Sequence, residues 1–453
     1  MPEGDFLDQP IIRIRAADIP DHRGRIATKE DTSRFPPGFI LLFEAKTGRP
    51  LTLYNEFTRD VAVGGRTDFE KWKNTQKAYS DDGANFATFL HFRGKSLEAA
   101  TFQDIKAYSA LLSQSISSQT GQKFEVQTRS RRITTIVAFY EHAHEKGSLR
   151  RIIPPRTGGG LPAGLRYKAE RPRAAKSVRD LTPEKVRPGE KINLIPIPVL
   201  RKALKHLGPQ IHERCSEGLP TRDRLVCKSA MATGGRLISL MSVKVIDVLN
   251  AERRMNHTDP NELLVIPVKT KGHAPPTILV PQALLTKWLI YYRGERAEIC
   301  RKVVERFGRN RIISDNLFLN DINANGRDLG NAATEDTISR AFSGALMAIG
   351  HTTLEKRAVR DSDGVPIRGQ NGELMWAWVE VPANTFHDLR HTFVVTTYHI
   401  MKRLGDRNPW KTISLALGHK SQATTIDIYG KHVTIDESSL SDAVDEVLYN
   451  LDD

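Results

Sequence analysis

Thr385-Phe386-His387-Asp388-Leu389-Arg390-His391-Thr392-Phe393 is the stretch on which the reading of this chain turns. It opens a helical segment expected over 387 to 403, and His387 and Arg390, three positions apart, share one face of that helix. Downstream lie Leu417-Gly418-His419-Lys420-Ser421, then Thr424-Thr425, then Tyr429. Upstream lies Thr233-Gly234-Gly235-Arg236-Leu237-Ile238-Ser239-Leu240, where a double glycine ends one helix and an arginine opens the next. Each pattern alone has a plain structural explanation: a capping arginine, a histidine and arginine that share a helix face by chance, a tyrosine that packs. Their order along one chain makes the set specific.

The surroundings are those of a globular protein with an anionic partner. The 453 residues leave room for two or three domains with a full core. Hydrophobic content of 39% and charged content of 26% are ordinary. No run of eighteen apolar residues predicts a membrane span, and Met1 to Pro10 lacks the apolar centre of a secretory signal. Cys215, Cys227 and Cys300 show no CxxC spacing, which argues against a disulfide framework or a zinc site and fits a reducing cytoplasm. The net charge of +14 points to a polyanion. The segment Arg150 to Lys191 concentrates twelve bases against four acids, while Ile435 to Asp453 holds seven acids and no Lys or Arg.

Four regions follow from composition and periodicity. Residues 1–65 are expected to form an N-terminal arm or small extra domain, with short strands at Ile11-Ile12, Phe39 to Phe43 and Leu51 to Tyr54 between Pro and Gly turns. Residues 66–150 are expected to form a helical domain. Its helices carry Phe86, Phe89 and Leu90, then Ile105, Tyr108, Leu111 and Leu112 after the N-cap Thr101, then Ile133, Ile136, Val137, Phe139 and Tyr140 before Gly147. Arg129, Arg131 and Arg132 open the third helix against its dipole, which fits either a phosphate contact or a solvated charged turn. Residues 151–195, broken by Pro154-Pro155 and Gly158-Gly159-Gly160, form a basic linker. Its Arg171, Arg173 and Lys176 suit duplex phosphates, or simply a solvated spacer. Residues 196–453 form the largest unit. Its helices are expected near 197 to 207, 220 to 232, 282 to 306, 335 to 349, 387 to 403, 409 to 417 and 437 to 450. Glu262 to Lys269 and Thr277 to Val280 make a hairpin, and residues 351 to 380 an inserted loop or hairpin.

Taken together, the Arg, His-x-x-Arg, His and Tyr patterns resemble the tyrosine recombinase (phage integrase) family, over about residues 66 to 445, and the extra segments 351 to 380 and 1 to 65 suggest a specialised, transposon-borne branch. The resemblance implies a fold that is mainly α with a small β component: a helical SAM-like core-binding domain plus a mixed α+β catalytic domain. It implies site-specific DNA strand transfer, with Tyr429 as nucleophile, Arg236 and Arg390 on the phosphate, and His387 and His419 as the two histidines. Lys269, in Val268-Lys269-Thr270, matches the family's hairpin lysine, and Lys271, followed by Gly272, is the alternative. Tyr429 stands ten residues after His419, one more than is commonest, and Ser239 replaces an acidic residue.

The residue types suit the chemistry. Two guanidinium groups clamp the non-bridging oxygens, where charge builds in the transition state. A lysine protonates the leaving 5′ oxygen, and a histidine takes the phenolic proton, His387 being the expected base. No cofactor and no metal are called for. The expected partner is double-stranded DNA, bound by a homotetramer on two sites, with element-encoded accessory proteins and a cytoplasmic, nucleoid-associated location. The amphipathic segment with Leu440, Ala443, Val444, Val447 and Leu448 either docks on a neighbouring subunit or packs on its own domain. The competing expectations are a type IB topoisomerase or telomere resolvase with the same chemistry, and an inactive DNA-binding accessory protein.

Overall fold

The computed structural model describes residues 10–16, 35–36, 38–63, 72–117, 122–150, 152, 181, 192–213, 220–256, 258–259, 261–270, 277–362, 367–369, 371, 373–419 and 421–433. Contacts divide the chain into two units, Met1–Val186 with Arg357–Trp376, and Arg187–Lys356 with Ala377–Asp453. The fold is mainly helical, and its described sheets are three strand pairs.

In the first unit β1 (Ile11–Arg15) and β2 (Ile40–Glu44) pair antiparallel, with Ile11 opposite Glu44 and Arg15 opposite Ile40. The other edge of β2 is finished by buried side-chain amides. Gln76 exchanges two hydrogen bonds with the backbone of Ile40, and Asn55 does the same with Leu42. These amides satisfy groups that a bare edge would leave unpaired. Leu51 to Tyr54, expected as a strand, instead leads into α1 (Thr52–Thr58). A short apolar run does not distinguish helix from strand. Here Tyr54 and Phe57, three apart, both turn into the core, which a helix permits and a strand does not.

The helices α2 (Lys73–His91), α3 (Phe102–Gln114) and α4 (Val126–Glu145) complete this unit. Leu42, Tyr54 and Phe57 share one core with Phe86, Ile105, Tyr108, Ile133, Phe139 and Tyr140. Of residues 1–65, Ile11, Leu42, Tyr54 and Phe57 thus lie in the core of the helical unit. Thr101 opens α3 as expected: the Asp104 carboxylate accepts from both its N–H and its hydroxyl. Of the linker, residues 152, 181 and 192–195 are described; Leu181 is buried in the same core, with its carbonyl accepting from Ser109 Oγ at 2.7 Å.

In the second unit α5 (Ile197–His206) and α6 (Arg222–Thr233) precede α7 (Leu237–Met241), which Arg236 opens as expected, and α8 (Val245–Glu252), which the sequence did not announce. The hairpin β3 (Leu263–Pro267) with β4 (Thr277–Pro281) buries Leu264 and Ile266 against Ile278 and Val280. The expected helix 282 to 306 is interrupted. A π-helical turn at Tyr292–Arg296, which contains Gly294, divides α9 (Gln282–Tyr291) from α10 (Ala297–Phe307). After α11 (Glu335–Ala348), the 351 to 380 insertion forms a strand pair, β5 (Thr352–Ala358) with β6 (Trp376–Pro382), of which Arg357–Trp376 is assigned to the first unit. The chain ends its described part with α12 (His387–Arg403), α13 (Pro409–Leu417) and a last helix, α14, at 422–433. The expected 437 to 450 helix lies outside the described residues. Trp288, whose indole N–H donates to Ser229 Oγ, packs with Phe318, Phe342 and Phe386 in the main core. A smaller core joins Phe393, Val394, Ile413, Leu417, Tyr429 and Val433. Among the described residues no helix is long and apolar enough to cross a membrane.

Candidate active site

The three sequence patterns converge on Arg390. Its position is set by α12, whose entry is fixed by Asp388: that carboxylate accepts from the Thr385 N–H at 2.7 Å and from the Asn384 amide at 3.3 Å. One turn in, Arg390 is buried, 5% exposed. Its Nη1 donates to the Gly234 carbonyl at 2.6 Å, and its Nη2 to the Leu417 carbonyl at 3.1 Å and to His419 Nε2 at 3.2 Å. The guanidinium is therefore gripped by the ends of two helices, α6 and α13. Both end in a left-handed glycine, Gly234 at φ +61° and Gly418 at φ +67°, so each last carbonyl is left outside its own helix.

His419 follows Gly418 directly, and its tautomer is determined by its neighbours. Arginine only donates, so Nε2 accepts from Arg390 and the ring proton sits on Nδ1. Nδ1–H then donates to Thr425 Oγ1 at 2.8 Å, and Thr425 shares a further hydrogen bond of 2.7 Å with Ser414 Oγ. Thr425 is fully buried on α14. This chain of bonds ties α13 to α14 and so fixes the height of Tyr429, one turn further along.

Tyr429 is 2% exposed, and its hydroxyl lies 3.0 Å from His391 Nδ1. Burial pushes the phenol above its usual range, against the pull of the Arg390 and Arg236 charges. Burial, with Arg236 adding to it, lowers Arg390 to about 10. Burial and the two arginines lower His419 to about 4. Burial, then His387, lowers His391 to about 4. Both histidines are therefore neutral at pH 7. Arg236, half-buried at the start of α7, acts on Arg390, His419 and Tyr429 alike, which places its charge in the same cluster.

The structure thus brings Arg236, Arg390, His419 and Tyr429 together. His387 is exposed at the start of α12, its ring edge-on to His391 with centroids 4.8 Å apart. Lys269 lies just past β3, exposed, its backbone N–H donating to Ser242 Oγ at 2.7 Å. Among the described residues its ammonium makes no hydrogen bond or ion pair with the cluster. Lys271, Arg171, Arg173 and Lys176 lie outside the described residues. Arg131 and Arg132 flank the buried Asp82, and Arg132 also donates to Asn85 and lies over the Phe124 ring at 4.3 Å. Arg129 is half-buried on the same helix. Sequence reasoning missed His391 and Thr425 as members of the site. Both stood in the quoted patterns, but the motif gave neither a part. Among the described residues no group of three or more His, Cys, Asp or Glu could hold a metal ion.

No protein-family model and no curated protein matches the sequence. The fold is similar to that of a lambda integrase(75-356) dimer bound to a COC′ core site, at 15% identity and TM-score 0.44, over 83% of this chain and 94% of that one. It is similar to the Tn1549 transposon integrase in complex with transposon right end DNA, at 13% identity and TM-score 0.45, over 83% and 93%. It is also similar to the XerH site-specific recombinase bound to difH substrate, at 15% identity and TM-score 0.42, again over 83% and 93%.

Proposed function

We propose that this chain is a tyrosine-type DNA strand transferase, a site-specific recombinase of the integrase or transposase kind that cleaves and rejoins strands through a 3′-phosphotyrosyl bond on Tyr429. The observation that carries this reading is the buried Arg390. A guanidinium held by the Gly234 and Leu417 carbonyls, beside a second arginine, a histidine and a tyrosine hydroxyl, serves no packing purpose that a leucine would not serve better. A phosphodiester accounts for it. Its non-bridging oxygens accept from Arg390 and Arg236, and its negative charge offsets the burial and the Arg236 repulsion that lower Arg390.

In this reading Tyr429 attacks phosphorus in line with the leaving 5′ oxygen. Lys269, or Lys271 in its place, gives that oxygen its proton. His419 swings from Arg390 to the phosphate and takes up a proton from solvent, because a nearby anion raises an imidazole that burial and the two arginines had lowered. The tyrosyl phosphate conserves the bond energy, and rejoining is the same path reversed. Arg129, Arg131 and Arg132, with Arg171, Arg173 and Lys176, are proposed to meet the duplex backbone. Double-stranded DNA is the partner, and a homotetramer on two sites is the working assembly, joined through the segment after Tyr429 and aided by element-encoded accessory proteins.

The test is covalent trapping. The full chain is incubated with a pool of duplexes of randomised sequence, each nicked on one strand so that cleavage frees a short fragment and cannot reverse. Denaturing gels, mass mapping of the adduct and sequencing of the attached DNA follow. An adduct on Tyr429 that Tyr429→Phe abolishes supports the reading and supplies a defined substrate. Tight duplex binding with no adduct sinks it and leaves a DNA-binding accessory protein.

A further inference from the structure

We infer that His391 is the catalytic residue that takes the phenolic proton of Tyr429 as its oxygen attacks phosphorus, the part expected of His387. The inference rests on the strand-transfer reading above and names the proton acceptor within it.

The geometry decides the matter at the hydroxyl itself. Nδ1 of His391 stands 3.0 Å from Tyr429 Oη, within the reach that a general base needs. The rings are tilted 53° with centroids 5.5 Å apart, so the contact is made through the nitrogen edge and not by stacking. The charged neighbours of the phenol are Arg390 and Arg236, and a guanidinium has no acceptor. Of these three groups, only His391 can receive a proton. The hydroxyl therefore donates to Nδ1, and the ring carries its own hydrogen on Nε2.

An acceptor must be empty before the step. The titratable and charged groups that face His391 are His387, Asp388 and Arg390 from α12, and Tyr429 and His432 from α14. Burial, then His387, Arg390 and His432, disfavour the imidazolium, and Asp388 alone opposes them. The Asp388 carboxylate is already occupied by Thr385 and Asn384 at the start of the helix. His391 thus waits neutral at pH 7. The arriving phosphodiester brings the negative charge that makes the imidazolium tolerable at the moment it forms.

The step balances. The Oη–H bond breaks and its proton moves to Nδ1. The Oη–P bond forms, the P–O5′ bond breaks, and the 5′ oxygen takes a proton from the hairpin lysine. In rejoining, His391 returns the proton to the departing phenolate while the 5′ hydroxyl attacks and its proton passes to the lysine. One histidine therefore serves as base in cleavage and as acid in resealing. His387 lies edge-on to it at the exposed side, where it adjusts the charge of His391.

Two measurements test this. In the DNA-free chain, nitrogen NMR of the histidine rings, assigned with His391→Gln, is expected to show Nδ1 of His391 unprotonated and hydrogen-bonded at neutral pH. Tyr429→Phe should remove the hydrogen-bond shift. A proton found on Nδ1 overturns the inference. The second measurement is single-turnover cleavage of the nicked duplex recovered by trapping, across about pH 5 to 9. His391→Gln keeps a polar side chain beside the phenol but cannot take its proton. Loss of the base is expected to slow cleavage on the order of 10²–10⁴-fold, with DNA affinity preserved and with a rate that climbs with pH as free phenolate replaces the missing base. His387→Gln should lose less and keep the base-limited shape of the wild-type profile, with its acid limb moved to higher pH because removing His387 raises His391. Cleavage by His391→Gln at the wild-type rate and profile overturns the inference while the Tyr429 adduct still stands. Absence of any wild-type adduct overturns the strand-transfer reading, and this inference with it.

Discussion

Gly234→Ala is the substitution that best tests how the fold holds the site. Gly234 ends α6 at φ +61°, a conformation that costs an L-residue about 1–2 kcal/mol. A Cβ there would stand 2.5 Å from both Cδ1 and Cε1 of Phe393 and 3.0 Å from Leu417 Cδ2. Both side chains are buried in the small core around Tyr429, so neither has solvent to retreat into. Overpacking of this kind costs about 1–3 kcal/mol. The sum is about 2–5 kcal/mol, and for a unit of this size a melting temperature falls by about 2–4 °C per kcal/mol, so a loss of roughly 4–20 °C is expected. Activity should suffer separately. The Gly234 carbonyl holds Arg390 Nη1 at 2.6 Å, and Phe393 lies three positions from Arg390 on α12. Displacing either moves the guanidinium, and a misplacement of about 1 Å at a reacting centre costs on the order of 10²-fold in rate.

The control is Gly405→Ala, also in the second unit. Gly405 has φ +83° but no atom within 4 Å of where a Cβ would stand, so only the backbone cost of about 1–2 kcal/mol applies. Scanning calorimetry of both variants, with single-turnover cleavage of the trapped substrate, separates strain from collision. If Gly234→Ala melts with Gly405→Ala and cleaves at the wild-type rate, the close packing of Phe393 on α6 is not what positions Arg390.

The two units should respond to acid in opposite directions. Burial raises Asp82 to about 6, against the pull of Arg131 and Arg132, so its contribution to stability is full below the ordinary carboxylate value and is lost as pH rises through about 6. Burial lowers His391 and His419 to about 4, so their contribution is full above the ordinary imidazole value and is lost as pH falls toward about 4. Hydrogen exchange read unit by unit, between about pH 6.5 and 4, should show protection rising around Asp82 and falling around Tyr429; a common direction refutes the assignment. Thr425→Val removes the acceptor of His419 Nδ1–H and the partner of Ser414 Oγ, leaving buried groups unpaired at a cost of about 1–3 kcal/mol. It should also slow cleavage, Thr425→Ser should restore both, and a wild-type melt and rate for the valine variant would remove the hydrogen-bond chain from the account. Duplex affinity should fall linearly with salt on logarithmic axes, through counterion release; a flat dependence argues against a phosphate-dominated interface.

Much of this was legible in the sequence because it is local. The bounds of α12 and α13 follow from helix signals within a few residues: Asp388 at the entry, Asn408 and Pro409 at the next start, Gly418 at the stop. The β3–β4 hairpin follows from alternation of Leu264 and Ile266 with exposed residues. What could not be read depended on distant partners. The edge of β2 is completed by Asn55 and Gln76, and no pattern within residues 40–44 announces that. The same reason hid the helical state of 52–58, which is settled by Tyr54 and Phe57 meeting Phe139 across the core.

The histidines show why a motif can locate a site without assigning its parts. His387 and His391 are four positions apart on α12, so helical geometry sets them one above the other on the same face. Spacing alone therefore offers two bases to the same nucleophile. The choice between them is made by the height at which Tyr429 meets α12, and that height is set elsewhere. Gly418 turns the chain so that His419 reaches Arg390, Thr425 receives His419, Ser414 holds Thr425, and α14 is carried to the level where Oη meets Nδ1 of His391. In the proposed reaction, the bonds that hold Arg390 thus also select the proton acceptor. A substitution that weakens Thr425 should for that reason alter the pH dependence of cleavage as well as its rate, since it loosens the registration of Tyr429 on His391 without touching either residue.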